Sequence, residues 1–168
     1  NAVKKLVDGI VKIEEILCVA LLVVMCVIIF VATVARFTQL FVIDWAEELA
    51  RYCMIWAVFL GIGIAAARGQ HFSVEALSLF CPKKVLNVMQ IVCAVIVVVF
   101  AGFCVVYGGE VLIWQMKAEQ ITASLHWPMW MMYLSIPVGM VLMAVCYCYR
   151  TYESVTGKAE KSEEVEVE

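Results

Sequence analysis

Four long apolar stretches, each closed off by charge or proline, dominate the chain and leave few folds open to it. Ile16 to Ala35 lies between Glu15 and Arg36, and Ala46 to Ala67 ends at Arg68. Val85 to Gly109 is a run of 25 residues without a charge, and Pro128 to Tyr149 ends at Arg150. Each reaches the roughly 20 residues a helix needs to cross the hydrocarbon of a bilayer. In lipid only helices and closed barrels satisfy their own backbone, and no alternation of period two is present. The spacing predicts an all-α membrane protein, with four transmembrane helices over 16–35, 46–67, 85–109 and 128–149 packed in a bundle. Composition agrees: 16% of residues are charged and 65% hydrophobic, against about 25% charged in an average soluble domain.

The distribution of basic residues sets an expected orientation. Four spans put both termini and the loop between spans two and three on one side. That side holds Lys4, Lys5, Lys12, Arg68, Lys83, Lys84, Arg150, Lys158 and Lys161, nine of the 12 basic residues. The positive-inside rule therefore places both termini in the cytoplasm. Trp45, Trp114, Trp127 and Trp130 then fall at the outer interface as an aromatic belt. Before the first span, Val3, Leu6, Val7, Ile10 and Ile13 recur at helical spacing among Lys4, Lys5, Asp8 and Lys12, which predicts a short interfacial helix, with another between spans. The apolar run of the first span exceeds the h-region of a signal peptide, so it is expected to be retained. Residues 1–152 read as one helical domain. Residues 153–168, acidic and without an aromatic side chain, read as a disordered tail on the cytoplasmic side.

No ionisable residue falls in the middle of a span. Ion paths and proton relays mark themselves with such groups at depth, so the chain is not expected to pump or conduct alone. Eight cysteines raise an alternative, a membrane redox or haem anchor subunit using cysteine or histidine chemistry. There is no C-x-x-C and no Cys pair on the outer side, and His71 and His126 fall at opposite faces. The cysteines read as packing residues. Catalytic, cofactor and metal residues are expected to be none, and nothing in the chain points to nucleic acid.

The spans carry close-packing chemistry instead. Ala57, Gly61 and Ala65 in the second helix, and Ser135 and Gly139 in the fourth, are spaced by four and let backbones approach, within the bundle or against a second membrane protein. Pro137 removes the bond to the Tyr133 carbonyl, which predicts a local kink. At the start of the second span the cluster Asp44, Glu47, Glu48 and Arg51 reads as a helix start. Asp44 caps, Glu47 reaches back to it, and Glu47 pairs with Arg51 one turn on. A docking surface for a partner is the second reading of the same cluster.

Two stretches resemble a known family. "EELARYCMIWAVFLGIGIAAARGQHFSVEAL" carries Glu47, Glu48, Arg51, Tyr52, Trp56, Phe59, Leu60, Gly61, Arg68, Gly69, His71, Val74 and Glu75. "SLHWPMWMMYLSIPVG" carries Trp127, Pro128, Trp130, Tyr133, Pro137 and Gly139. Together they resemble the small membrane subunit, DctQ type, of tripartite ATP-independent periplasmic (TRAP) transporters. The resemblance implies a scaffold in the bacterial inner membrane with three partners: the bilayer, a large multi-span subunit holding the sodium and substrate sites, and a periplasmic binding protein that delivers an organic anion. It also makes the residues just named candidate interface or structural positions. Arg68, His71 and Glu75 then read as a cytoplasmic contact to the large subunit, or as a turn in which Gly69 ends one helix and Ser73 caps the next. Trp127, Trp130 and Tyr133 read as belt anchors or as partner contacts.

Overall fold

A computed structural model describes the backbone of residues 2–39, 41–78 and 83–156, and the side chains of 4–39, 41–68 and 85–156. It contains four helices, α1 (Ala2–Phe37), α2 (Asp44–Ser78), α3 (Lys83–Lys117) and α4 (Trp130–Val155). All four are long and apolar enough to cross a membrane, so this is a multi-pass membrane protein. Each helix overruns its apolar stretch. The amphipathic segment before the first span continues into it without a break, giving one helix of 36 residues rather than a separate interfacial helix. Likewise α2 runs through Gly69 and Ser73 to Ser78. A glycine in a helix costs only about 1 kcal/mol relative to alanine, too little to end a helix whose neighbours all favour it. The side chains of His71 and Glu75 lie outside the described residues.

The helices form a row rather than a closed ring. α2 packs on both α1 and α4, α3 packs on α4, and among the described residues α1 and α3 do not meet. The row order is therefore α1, α2, α4, α3, with two apolar edges and two broad apolar faces left open. Val19, Val23, Val27 and Phe30 of α1 and Val95, Val99, Phe103 and Val106 of α3 are all exposed. Two small clusters hold the row together. Val7, Val11, Ala67 and Cys146 join α1, α2 and α4, with Tyr149 against them. Ala101, Met140 and Met143 join α3 to α4 and receive Phe59 and Ile62 of α2.

Glycines set the closest approaches. A Cβ on Gly139 would stand 2.8 Å from both the Cβ and the carbonyl oxygen of Phe59, so the α2–α4 crossing exists only because that position has no side chain. The Ser135–Gly139 pair of α4 thus does pack as its spacing predicts, and Ser135 is fully buried. The α2 stripe behaves differently. Ala57 is buried, but a Cβ on Gly61 would meet nothing within 4 Å, and Ala65 is exposed. The glycine of α2 that packs inside the row is Gly63, two residues further on. Helix α4 continues through Pro137, whose ring lies beside Gly108 of α3.

The fourth helix extends to Val155, beyond the expected domain edge at residue 152. Glu153 explains this: it is buried and held by Arg150 at 3.0 Å and by Lys4 at 3.8 Å, so the last turn of α4 is tied to the first turns of α1. Residues 157–168, the remainder of the expected tail, lie outside the described residues. The two glycines of opposite behaviour give a direct test. Gly139→Ala is expected to lower stability by about 1–3 kcal/mol through overpacking. Gly61→Ala is expected to be neutral or to stabilise by up to about 1 kcal/mol. Thermal unfolding in one detergent compares the two, and equal effects would contradict the α2–α4 packing.

Candidate functional site

The candidate residues gather at the two ends of the row. At one end α1 closes with Thr38, whose hydroxyl donates to the Val34 carbonyl at 2.8 Å, and with Gln39 at φ 54°. Residues 41–43, outside any helix, lead to Asp44, the first residue of α2. Glu47 does not complete a capping box here, nor does it pair with Arg51. Its Oε1 accepts from Arg36 Nη2 at 2.7 Å, joining the last turn of α1 to the first of α2. The guanidinium of the neighbouring helix reaches a carboxylate that both of the expected intrahelical bonds would have required. Asp44 and Arg51 are exposed and, among the described residues, make no ion pair.

Glu48 has a different task. α3 ends at Lys117, Glu119 takes a left-handed φ of 48°, and the chain then turns back on itself before α4. Thr122 N donates to Trp127 O at 2.8 Å and Met129 N to Gln120 O at 2.9 Å, around an Ile121–Pro128 bridge. The Thr122 hydroxyl accepts from Trp127 N at 3.1 Å. At the tip of this hairpin the amides of Ala123, Ser124 and Leu125 point the same way. All three donate to the Glu48 carboxylate, at 3.1, 3.0 and 2.7 Å. Consecutive amides of a turn form an anion cradle, and Glu48 occupies it.

One turn along α2, Tyr52 reinforces the same contact. Its ring stands edge-on to Trp127, with centroids 6.0 Å apart and planes at 82°, a favourable aromatic geometry. Its hydroxyl donates to the Pro128 carbonyl at 3.5 Å. The two stretches that look unrelated in sequence, Glu47–Tyr52 and Ser124–Pro128, are thus one structural unit. Trp45, Trp114, Trp127 and Trp130 all lie at this end of the row. Trp56 and Tyr133 are half-buried within the helix packing.

The other end is held by ions. Arg68 hydrogen-bonds Glu15, tying the exposed end of the second span to α1. Arg150 Nη2 reaches Asp8 at 3.0 Å while its Nη1 holds Glu153, so one guanidinium fastens α4 to α1. Sequence reasoning missed Glu14. Only 2% exposed, it is packed so that a Cβ on Gly63 would stand 3.0 Å from each of its oxygens. Neither oxygen has a hydrogen-bond partner among the described residues. The sequence signal was faint, a second acid beside Glu15 at the edge of an apolar run. Among the described residues no group of His, Cys, Asp or Glu is placed to hold a metal ion, and the described cysteines are free.

This arrangement clamps helices to one another, and comparison with known proteins accounts for that. Residues 25–157 match the family "Tripartite ATP-independent periplasmic transporters, DctQ component", and the chain belongs to that family. It is therefore a TRAP transporter small permease subunit and not an enzyme. Among its relatives is the C4-dicarboxylate TRAP transporter small permease protein DctQ of Rhodobacter capsulatus, 26% identical over 182 residues that cover 89% of this chain and 78% of that one. A putative TRAP transporter small permease protein of Haemophilus influenzae is 32% identical over 94 residues, 52% of this chain and 58% of the relative. The isethionate TRAP transporter permease protein DctMQ of Oleidesulfovibrio alaskensis is 27% identical over 101 residues, which cover 60% of this chain but 16% of that protein.

Adjacent acids with unequal partners yield a sharp prediction. Glu48→Ala strips three amides of their acceptor and is expected to expose the 118–129 hairpin to protease while the helices stay intact. Glu47→Ala breaks a pair whose side chains are 63% and 66% exposed, and is expected to change stability by less than about 1 kcal/mol. Limited proteolysis with mass mapping checks both, and hairpin cleavage in neither variant would contradict the clamp.

Proposed function

We propose that this chain is the fixed frame against which a large membrane subunit moves, in a transporter that takes up an organic anion with sodium. The observation that carries this reading is the combination of an open row with locked ends. Its edges and broad faces present apolar side chains that require lipid or a membrane partner. Its helices are fastened to one another by Glu48 and Arg36 at one end and by Arg68 and Arg150 at the other. A frame needs that rigidity, and it needs no ion site of its own.

The basic residues favour both termini on the cytoplasmic side of the bacterial inner membrane, with the Glu48 hairpin facing the periplasm. A periplasmic binding protein that delivers the substrate would then meet the Asp44–Arg51 edge and the hairpin, where Asp44, Arg51 and Trp127 are exposed. Sodium and substrate would be held by the large subunit. One relative, DctMQ, spans far more than this chain, in keeping with a small and a large part joined. Relatives carry names with C4-dicarboxylate, isethionate and ectoine. That spread fits a subunit that does not touch the ligand, and carboxylates or sulfonates are the substrate classes we favour.

Reconstitution tests the proposal. Proteoliposomes with this chain, the large subunit and the binding protein under an inward sodium gradient are expected to accumulate substrate, and liposomes with this chain alone are expected to accumulate none. Uptake by the chain alone would overturn the reading, as would full uptake by the large subunit and binding protein without it.

A further inference from the structure

Helix α3 carries its one acid, Glu110, on the side that faces away from the rest of the protein. Gly108 packs on α4, where a Cβ would stand 3.0 Å from Ile136 Cγ2. Two residues on, at about 100° per residue, Glu110 points to the opposite side and is exposed. Its surroundings there are Phe103, Val106, Ile113 and other apolar side chains, each more than half exposed. Among the described residues Glu110 has no ion pair. Asp8, Glu15, Glu47 and Glu153 each have a basic partner within the chain, and Glu48 has three amides.

Depth sharpens the anomaly. Glu110 lies seven residues, about 10 Å, short of the helix end at Lys117, and one turn inside Trp114 of the belt. Side chains on a helix tilt towards its N-terminus, which for α3 is the opposite end of the span. The Cα–Cβ bond of Glu110 is therefore tilted along α3 towards the middle of the span, not towards the nearer helix end. An ionised acid on a lipid-facing surface is costly and persists where something answers it.

The neighbours of Glu110 indicate what answers it. Tyr107 and Trp114 stand three residues before and four residues after it, the spacing that places side chains side by side on one helix face. They are 61% and 63% exposed, and the Tyr107 ring is steadied by stacking on Phe103 at 6.2 Å. A carboxylate between two aromatic rings suits a guanidinium, which bonds the acid through its planar fork and lays its face on a ring. Gly102 and Gly109, seven apart beside this stripe, both have open space at the Cβ position, so a partner helix can come close.

We propose that the Tyr107–Glu110–Trp114 stripe of α3 docks the large membrane subunit through an arginine on one of that subunit's membrane helices. The proposal rests on the scaffold reading above and adds the face and the chemistry of the contact. It makes α3, not α1, the edge that the partner covers.

The test co-expresses the chain with the large subunit, with a photo-reactive phenylalanine at Val106 or Ile113 of α3 and, in parallel, at Val27 or Phe30 of α1. Adducts to the large subunit from the α3 positions are expected. Adducts from α1 alone, or from α3 only to a second copy of this chain, would overturn the proposal. In the same preparation Glu110→Gln is expected to reduce retention of the large subunit at least about tenfold in a titration. The isolated variant chain should melt at the same temperature as the parent or higher, because a charge has left a lipid-facing surface. Retention like the parent, or a less stable isolated chain, would count against docking. Failure of the parent chain to retain any large subunit would instead sink the scaffold reading itself.

Discussion

Three consecutive amides at the tip of the α3–α4 hairpin have no acceptor within their own loop, and the carboxylate of Glu48 serves all of them. Much of the molecule follows from that contact. Unpaired backbone donors at a membrane surface would leave the hairpin free to wander. Held by Glu48 and covered by the Tyr52–Trp127 pair, the hairpin fixes where α4 begins relative to α2. Gly139 can then meet Phe59 at backbone distance, seven residues further along α2 from Tyr52. The ion pairs at the far end complete the frame, with Arg150 drawing the last helix onto the first.

An open row of helices is an unusual answer to the problem of burying apolar surface, and lipid is what permits it. In water the bare faces of α1 and α3 would drive aggregation. In a bilayer they cost nothing, because lipid tails are as apolar as leucine, and helix association depends on close packing and polar contacts instead. That is why the contacts holding this chain together are glycines, short ion pairs and a carboxylate on amides rather than a large hydrophobic core. It also leaves whole faces available to a larger partner without exposing anything to water.

The fold was legible because length and charge spacing decide it. Four apolar runs bounded by Arg36, Arg68, Glu110 and Arg150 permit little else, and the motif around Glu47 to Glu75 pointed to the family. Helix ends were less legible. Nothing local distinguishes Glu47 bonding its own helix cap from Glu47 bonding Arg36, since the choice depends on where α1 ends in space. The same holds for Gly61 and Gly63: periodicity picks out the first, but the neighbour's position picks out the second. Glu14 was hidden because its burial comes from the neighbourhood of Gly63, which is distant in sequence. The convergence of Glu48 with Ser124 and Tyr52 with Trp127 spans more than 70 residues, and only the row order α2–α4 brings those stretches together.

The central claim is that this chain stays rigid while its partner moves. Cys26 on α1 and Cys93 on α3 are both exposed and lie on the two edges of the row, so they can carry a pair of spin labels once the other cysteines are replaced. Distances between them, measured in the full transporter with and without sodium and substrate, bear on the claim most directly. A single narrow distribution that does not shift between conditions is the predicted result. A distribution that splits or moves when the transporter is loaded would show the row itself rearranging, and would contradict the account.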